Sequence, residues 1–307
     1  MSTSPPKARR IQNERAQLLP LGPRNIIAKR PLSRDKIQIP SSVFYGSYEL
    51  VFEEEIGQGA FSKCYRAQSN GRVFAIKVQL INGASKRSRE RHRGELFMHQ
   101  ILGKHPCFIK YYSSFVDQEN FYIQSELCAH GNLQQYVKTR KFSIENAVGT
   151  MIAILRGVQF MHSKRILHRD LKLANIYINH KGYIKLGDFG LACFLPVGES
   201  TKPSRAGTPA YMAPELINSP HICSFSSDIW ALGVIMYGIL YAKLPFEAPS
   251  THETAQLVAT GTYRFPASGN QQWNGIIERI LTHNMSSRPT ARRLYHELDK
   301  WLISMME

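Results

Sequence analysis

The sequence has no apolar run long enough to cross a membrane. The longest such run, residues 229–242, lies between Asp228 and Lys243, whereas a membrane-spanning helix needs about 20 consecutive apolar residues. We therefore expect no transmembrane segment and a helix that is buried inside a globular protein. The 307 residues, 43% of them hydrophobic, suffice for one large domain or two lobes around a sizeable core.

Cysteines are few and show no pairing pattern. The five cysteines are odd in number and follow no spacing typical of disulfide frameworks or zinc ligands. The N-terminus also lacks the pattern of a secretory signal peptide. We therefore expect reduced thiols in an intracellular protein, in the cytoplasm, the nucleus or both.

Acidic residues are scarce in residues 1–45, which hold nine Lys or Arg but only two acids, in a chain whose net charge is +16. The six prolines of this segment and its lack of a sustained hydrophobic period predict a disordered basic tail. Such a tail is either simply solvated or binds an acidic partner. Nucleic acid is the less favoured partner, because no aromatic residues are interleaved with the basic ones.

From residue 47 the sequence changes to short apolar or alternating runs separated by tight turns. Three strands are predicted over 48–56, 63–68 and 72–80, the last two joined by a hairpin turn at Ser69-Asn70-Gly71. The G-x-G turn at 57–59 lies between two strands, which disfavours a dinucleotide-binding Rossmann turn. It favours a flap whose backbone N–H groups cover phosphates, although hairpins also carry glycines for steric reasons alone.

Lys77 lies in an apolar stretch of the third strand, V-F-A-I-K-V, which leaves little room for an exposed lysine. A helix predicted over 95–102 begins with Glu95, either a surface acid or a carboxylate that reaches back to orient the Lys77 ammonium. Two further strands, over 109–116 and 121–126, complete a five-stranded lobe with one main helix. A link at 127–131 leads to a helix over 132–138, and two more helices are predicted over 143–163 and 229–241.

The densest cluster of charge lies in residues 168–190, between two apolar runs. It contains Asp170, Asn175 and Asp188 together with the basic residues Arg169 and Lys172. Charged side chains packed so closely beside buried strands indicate a ligand site. The structural alternative is that these acids and amides cap helices or bind the N–H groups of turns.

The motifs of residues 48–301 resemble, in their order and spacing, those of eukaryotic protein kinases. They are I-G-Q-G-A-F-S-K-C, A-I-K, Glu95, H-R-D-L-K-L-A-N, D-F-G, G-T-P-A-Y-M-A-P-E, S-D-I-W-A-L-G and S-R-P-T. The resemblance implies an α+β, bilobal protein kinase fold for residues 46–303, with an N-lobe (about 46–127), a hinge (126–131) and a mostly helical C-lobe (132–303). It also implies ATP and Mg²⁺ as cofactors and proteins as substrates.

The resemblance further implies roles in phosphoryl transfer for individual residues. Asp170 accepts the proton of the substrate hydroxyl or orients it, and Lys172 contacts the γ-phosphate. Lys77, fixed by Glu95, binds the α- and β-phosphates. The implied Mg²⁺ ligands are Asn175 and Asp188.

The implied nucleotide site combines the flap with an adenine pocket. Ser125 lies at the gatekeeper position, where a small side chain opens a back pocket, and Ser62 replaces the third glycine of the flap. The purine is expected to bind the hinge backbone, although each pocket residue is alternatively plain lobe core. The flap residues are Ile56, Gly57, Gln58, Gly59, Ala60, Phe61 and Ser62, and the pocket residues are Cys64, Ala75, Ser125, Glu126, Cys128 and Tyr177.

The segment between D-F-G and A-P-E bears on specificity and regulation. Thr208 in G-T-P is similar to the threonine of Ser/Thr-specific kinases, whose hydroxyl bonds the catalytic aspartate and lysine, so Ser/Thr specificity is expected. Ser204, three residues before Gly207, is either an unmodified loop serine or a phosphorylation site whose phosphate pairs with Arg169. Two further contacts are implied: an ion pair between Glu215 and Arg288, and a column of His99, Phe189 and His168.

The subfamily is left open, because different stretches resemble different kinase groups. G-A-F-S-K-C-Y and H-R-D-L-K-L-A-N resemble polo-like kinases, residues 101–136 look like the Wee/Myt group, and S-D-I-W-A-L-G is similar to NIMA-related kinases. All three groups regulate the cell cycle, which is therefore the expected pathway. The alternatives are a Wee/Myt-like kinase that inhibits a cyclin-dependent kinase, a pseudokinase scaffold, and a nucleic-acid-binding protein that acts through its tail.

Overall fold

The computed structural model describes residues 39–46, 48–59, 62–81, 85–204, 206–218 and 221–307. Most of the predicted tail (1–38) and the flap residues Ala60 and Phe61 lie outside these ranges. The described residues form two lobes with separate hydrophobic cores. The N-lobe contains a sheet and a long helix, and the C-lobe is mostly helical, so the predicted α+β bilobal fold is confirmed.

The N-lobe sheet has six antiparallel strands in the order β1-β2-β3-β4-β6-β5. Their bounds are β1 (Ser42–Tyr45), β2 (Tyr48–Gly59), β3 (Ser62–Ser69), β4 (Arg72–Leu80), β5 (Tyr111–Val116) and β6 (Asn120–Glu126). The hairpin turn predicted between β3 and β4 is present. Asn70 and Gly71 both have positive φ, 48° and 71°, the combination that a tight two-residue hairpin requires.

The prediction of five strands is wrong, because β1 lies inside the segment predicted as a tail. β1 pairs with the first residues of β2, and Val43 and Ile39 are fully buried in the N-lobe core. Four residues are too short a run for their period to stand out from the proline-rich, basic sequence before them. The N-lobe therefore includes residues 39–45.

Helix α1 (Lys86–Leu102) begins nine residues before the predicted start at residue 95. The stretch 86–93 is basic and lacks an apolar period, which is why no helix was predicted there. Lys, Arg and Glu nevertheless have high helix propensity, and the Ser85 hydroxyl caps the first turn by accepting a hydrogen bond from Ser88 N (3.2 Å). Glu95 thus lies in the middle of a helix, where its backbone is held on both sides.

The C-lobe helices surround one buried helix. They are α2 (Leu133–Thr139), α3 (Ile144–Ser163), α4 (Pro214–Ile217), α5 (Phe225–Tyr241), α6 (Thr251–Thr260), α7 (Gln271–Ile280) and α8 (Ala291–Ser304). Residues 227–239 of α5 are all buried, as its apolar sequence predicted. Within the described ranges, no helix combines the length and the apolar character that a membrane span needs.

Three two-stranded sheets lie within residues 166–223, the part of the C-lobe that contains the charge cluster of residues 168–190. They pair β7 (Ile166–Leu167) with β10 (Cys193–Phe194), β8 (Ile176–Ile178) with β9 (Ile184–Leu186), and β11 (Lys202–Pro203) with β12 (Ile222–Cys223). The loop between β7 and β8 carries Asp170 and Asn175, and Asp188 follows β9. The pairing of β8 with β9 therefore brings the ends of the cluster together.

Two of the hydrogen-bonded links between the lobes involve the β8–β9 hairpin. At the end of β6, the Glu126 carboxylate accepts a hydrogen bond from Asn179 Nδ2 in the C-lobe (2.9 Å). In the loop after α1, Cys107 O accepts from Leu186 N (2.8 Å), and Ile109 N donates to Leu186 O (3.0 Å). The N-lobe is thus anchored to the β8–β9 hairpin of the C-lobe, at Asn179 and at Leu186.

Candidate active site

The loop between β7 and β8 is held by Asp228, a buried acid in the first turn of α5. Its carboxylate accepts hydrogen bonds from the backbone N–H groups of His168 and Arg169, both at 3.0 Å, and contacts the His162 ring (3.0 Å). Burial raises the pKa of Asp228, but these contacts outweigh burial and hold the pKa below its ordinary value. Asp228 therefore remains ionised and fixes a loop in which Arg169 has a φ of 63°.

Sequence reasoning gave Asp228 no role, although it belongs to the S-D-I-W-A-L-G motif. The available signal was an acid at the start of an otherwise apolar helix. A second residue that was missed is Gln79, two positions after Lys77 on β4.

Asp170 lies at the centre of a network of polar side chains. Thr208 Oγ1 donates to Asp170 Oδ1 and Lys172 Nζ donates to Asp170 Oδ2, both at 2.7 Å. Lys172 Nζ also donates to Thr208 Oγ1 (2.9 Å), so the contacts expected of Thr208 are present. Asn175 Nδ2 donates to Asp170 O (2.9 Å) and to Oδ2 (3.1 Å). Three side chains from two segments thus fix one carboxylate.

Lys77 on β4 bridges two acids. Its ammonium lies 2.5 Å from Glu95 Oε1 and 2.9 Å from Asp188 Oδ1. Burial lowers the pKa of Lys77, but the two carboxylates outweigh burial and raise the pKa well above its ordinary value. Conversely, the Lys77 charge is the main cause that lowers the pKa of Asp188 to about 2. The lysine and Asp188 are therefore both charged near neutral pH, and the predicted contact between Lys77 and Glu95 is present.

Asn175 and Asp188, the predicted Mg²⁺ ligands, both offer oxygen donors. The hydrogen bonds of Asn175 Nδ2 to Asp170 leave its Oδ1 without a hydrogen-bond partner in the described part of the chain. The described residues contain no group of three or more His, Cys, Asp or Glu suited to hold a metal alone. Mg²⁺ is typically bound by one or two side chains plus phosphate oxygens, so this donor set fits a metal that binds together with a nucleotide.

The aromatic column that the resemblance implies, made of His99, Phe189 and His168, is present. The ring of Phe189, which follows Asp188, lies edge-on to the rings of His99 (5.0 Å between centroids) and His168 (5.9 Å). His99 belongs to α1 and His168 to the loop after β7. The column therefore connects the N-lobe helix to the C-lobe beside Asp188.

The flap is the turn between β2 and β3, where Gly57 pairs with Cys64 and Gly59 pairs with Ser62. A Cβ atom added at Gly59 would lie 3.1 Å from Ser62 Oγ, so a side chain there would crowd the turn. Ile56 and Gln58 are exposed.

The residues predicted to line the adenine pocket lie on β3, β4, β6 and β8 and in the hinge. Ala75 pairs with Ser125 across β4 and β6, and Ser125 Oγ donates to Ala75 O (3.4 Å). Burial raises the pKa of the Cys64 thiol to about 11. Burial also raises the pKa of Tyr177, with smaller contributions from nearby Asp188 and Cys64. Cys64 and Tyr177, both predicted pocket residues, therefore lie near each other.

Among the described residues, three backbone N–H groups of the hinge have no hydrogen-bond partner: those of Leu127, Cys128 and Ala129. Glu126 N donates to Lys110 O (2.9 Å), and Cys128 O accepts from Gly131 N (3.0 Å). Cys128 N has no hydrogen-bond partner among the described residues, and burial raises the pKa of its thiol to about 12. Cys128 N, which the resemblance assigns to the purine, is thus among the hinge donors that remain available.

Two further contacts of the segment from Asp188 to Glu215 involve residues that the sequence singled out. Arg169 Nη1 donates to Ser204 Oγ (3.4 Å), so the predicted regulatory residues are adjacent. The carboxylate of Glu215 accepts two hydrogen bonds from Arg288, at 2.7 and 2.9 Å, and the Arg288 side chain is completely buried. The ion pair expected between Glu215 and Arg288 is thereby confirmed.

Comparison with known proteins agrees with this geometry. Residues 50–301 match the model of a family described as protein kinase domain. Similar curated proteins are serine/threonine-protein kinase PLK2 of Rattus norvegicus (36% identical; 76% of this chain, 35% of the relative), cell cycle serine/threonine-protein kinase CDC5/MSD2 of Saccharomyces cerevisiae (34%; 78%, 35%) and serine/threonine-protein kinase polo of Drosophila melanogaster (34%; 78%, 42%). The matched region spans little more than a third of these relatives.

Proposed function

The chain belongs to the protein kinase family, and on that premise we propose that it transfers the γ-phosphoryl group of ATP to serine or threonine hydroxyls of proteins. One observation supports this most directly: Thr208 and Lys172 each lie 2.7 Å from a different oxygen of Asp170. A carboxylate held at both oxygens is preorganised to accept a hydrogen bond from an incoming hydroxyl. The place of Thr208 in this network supports Ser/Thr specificity.

Lys172 and Lys77 supply the positive charge that phosphoryl transfer requires. We propose that the Lys172 ammonium, beside Asp170, contacts the γ-phosphate as the substrate hydroxyl approaches, and that Lys77, held by Glu95, binds the α- and β-phosphates. Both cations neutralise charge that spreads over the phosphate oxygens in the transition state.

Asn175 and Asp188 are the residues that we propose to hold Mg²⁺. When bound, the metal ion neutralises and orients the phosphates of ATP. Asn175 also donates to Asp170, so the same side chain ties the metal ligands to the residue that receives the hydroxyl.

The nucleotide base is proposed to lie between the two lobes. Cys64 and Ala75 form the roof of the pocket and Tyr177 the floor, while Cys128 N donates to the purine. The glycines of the flap allow its backbone N–H groups to approach the phosphates closely.

We further propose a role in cell-cycle control inside the cell. The support is the similarity to a relative whose name includes "cell cycle" and the five cysteines, all of them free thiols. The family match begins at residue 50, so it lends no support to an acidic partner for the basic tail.

A pseudokinase scaffold is the second candidate. It is disfavoured because Lys77, Asp170, Asn175 and Asp188 are all present in the sequence, and Lys77 makes its predicted contact with Glu95 (2.5 Å). A Wee/Myt-like kinase is also disfavoured, because the relatives named above are serine/threonine kinases that include polo-like ones.

Radiolabelled ATP and matched peptides that contain Ser, Thr or Tyr test the proposal. We expect the wild type to label the Ser and Thr peptides, and Asp170→Asn to lose this activity by at least about 10²-fold while it still binds ATP. Equal labelling by Asp170→Asn would contradict the role of Asp170. Labelling of the Tyr peptide alone would contradict the specificity, and ATP binding without labelling of any peptide would favour the scaffold.

A further inference from the structure

Gln79 lies beside the ion pair that orients Lys77. It follows Lys77 by two residues on β4, so both side chains project from the same face of the sheet. Ile76 and Val78, on the opposite face, are fully buried in the N-lobe core. Gln79 is itself only 3% exposed, which places a polar amide where water does not reach it.

The amide of Gln79 completes the hydrogen bonding of Glu95. Gln79 Nε2 donates to Glu95 Oε2 (2.7 Å), while Lys77 Nζ donates to Glu95 Oε1 (2.5 Å). Glu95 is 1% exposed, and a carboxylate so deeply buried is costly unless it is paired and hydrogen-bonded. The two oxygens of Glu95 therefore have separate donors that both come from β4.

The nitrogen of the Gln79 amide is hydrogen-bonded, but its oxygen is not. Gln79 Oε1 is buried and has no hydrogen-bond partner in the described part of the chain. An apolar side chain of similar size would avoid this unpaired carbonyl. Within the described ranges, the one hydrogen bond that the Gln79 side chain makes is the one to Glu95.

We propose that Gln79 is a positioning residue, which fixes the rotation of the Glu95 carboxylate so that Oε1 faces Lys77. With Lys77 as the sole donor, the carboxylate is free to turn about its Cγ–Cδ bond. A second donor on the other oxygen removes that freedom and ties α1 to β4 at a second point. The inference rests on the proposed function, since the orientation of Lys77 matters for the phosphates of ATP.

Gln79→Met tests the proposal, because it keeps the volume of the side chain and removes the donor. We expect kcat/KM for ATP to fall about tenfold, the scale of one hydrogen bond to a charged group. Gln124→Met is the matched control: Gln124 is on β6 of the same sheet and accepts a hydrogen bond from Ser113 (2.6 Å). The control is expected to stay within about twofold of the wild type, and thermal melting of both variants reports any general loss of stability.

Calorimetric titration with ATP, in the wild-type and Glu95→Ala backgrounds, shows whether Gln79 acts through Glu95. Gln79→Met should weaken ATP binding in the wild type but change it less than about twofold in Glu95→Ala, since the acceptor is then gone. The proposal is overturned by an unchanged kcat/KM in Gln79→Met, by an equal loss in Gln124→Met, or by an undiminished effect on binding in Glu95→Ala. A wild type without turnover would contradict the proposed function instead, and the binding cycle would still decide the role of Gln79.

Discussion

Each lobe contains a buried ion pair built around a glutamate, and the two pairs differ in geometry. In the C-lobe, the guanidinium of Arg288 binds both oxygens of Glu215. In the N-lobe, the ammonium of Lys77 contacts one oxygen of Glu95 and also Asp188. A planar guanidinium holds a carboxylate in a single orientation, whereas a compact ammonium is able to exchange partners. We therefore expect the first pair to maintain the fold and the second to serve the proposed phosphoryl transfer.

Breaking the C-lobe pair should have the largest effect on stability. Arg288→Ala leaves the Glu215 carboxylate buried without its cation, and we expect the free energy of unfolding to fall by about 3–5 kcal/mol. Urea unfolding followed by circular dichroism measures this loss. Arg292→Ala, at an exposed position of α8, is the control, and a loss as small as that of the control would show that the pair is not structural.

Breaking the N-lobe pair should instead affect turnover. Lys77→Met removes a preorganised cation from the phosphate site, and we expect kcat/KM for ATP to fall by about 10²–10³-fold. Its unfolding midpoint should lie closer to the wild type than that of Arg288→Ala. Lys138→Met, at an exposed position of α2, should retain full turnover. If Lys77→Met unfolded more readily than Arg288→Ala, the proposed division between the two pairs would be wrong.

The pH dependence of stability tests the surroundings of the N-lobe pair, because His99 Nε2 lies 3.9 Å from Glu95 Oε1. Burial disfavours the charged ring and lowers the pKa of His99 from 6.5 to about 4. The unfolded chain therefore binds a proton that the folded chain excludes, and stability should fall by roughly 3 kcal/mol as the pH drops from about 6.5 to about 4.

Urea unfolding at a series of pH values measures this slope. His99→Leu should reduce the slope, whereas His252→Leu, at an exposed position of α6, should leave it unchanged. Equal slopes in the wild type and His99→Leu would contradict the role of His99.

The smallest expected effect concerns Ser204, whose hydroxyl accepts a hydrogen bond from Arg169 Nη1 (3.4 Å). A phosphate on Ser204 would pair with the Arg169 guanidinium and stabilise the segment that Glu215 anchors. We expect Ser204→Ala to lower the kcat/KM of enzyme purified from cells by about tenfold, the scale of one charge-assisted hydrogen bond. Mass spectrometry shows whether the phosphate is present, and Ser200→Ala is the control. Undiminished activity of Ser204→Ala would exclude the switch.

The sequence was most informative where chemistry restricts residue types. Contacts between Lys77 and Glu95 and between Thr208 and Asp170 were predictable, because phosphoryl transfer needs these groups at set positions in ordered motifs. Their roles toward ATP and Mg²⁺ stay predictions. The burial of α5 was equally predictable, since a helix that is apolar on all sides has to be buried.

The sequence was least informative where contacts between distant residues determine the structure. Strand β1 is stabilised by its pairing with β2 and by the burial of Val43, neither of which a four-residue run reveals. The first half of α1 has high helix propensity but no apolar period. Gln79 and Asp228 acquire their roles only from partners 16 and 60 residues away, which no local pattern encodes.

The two links that involve the β8–β9 hairpin have a mechanical consequence. One link is the hydrogen bond between Glu126 and Asn179, and the other joins Cys107 and Ile109 to Leu186. Two fixed points define an axis, and we infer that the N-lobe turns about it when the third contact, between Lys77 and Asp188 (2.9 Å), exchanges partners. The parts of the N-lobe far from this axis would then travel furthest, and under the proposed function ATP would enter and ADP leave by a rotation of the lobe that keeps both anchors.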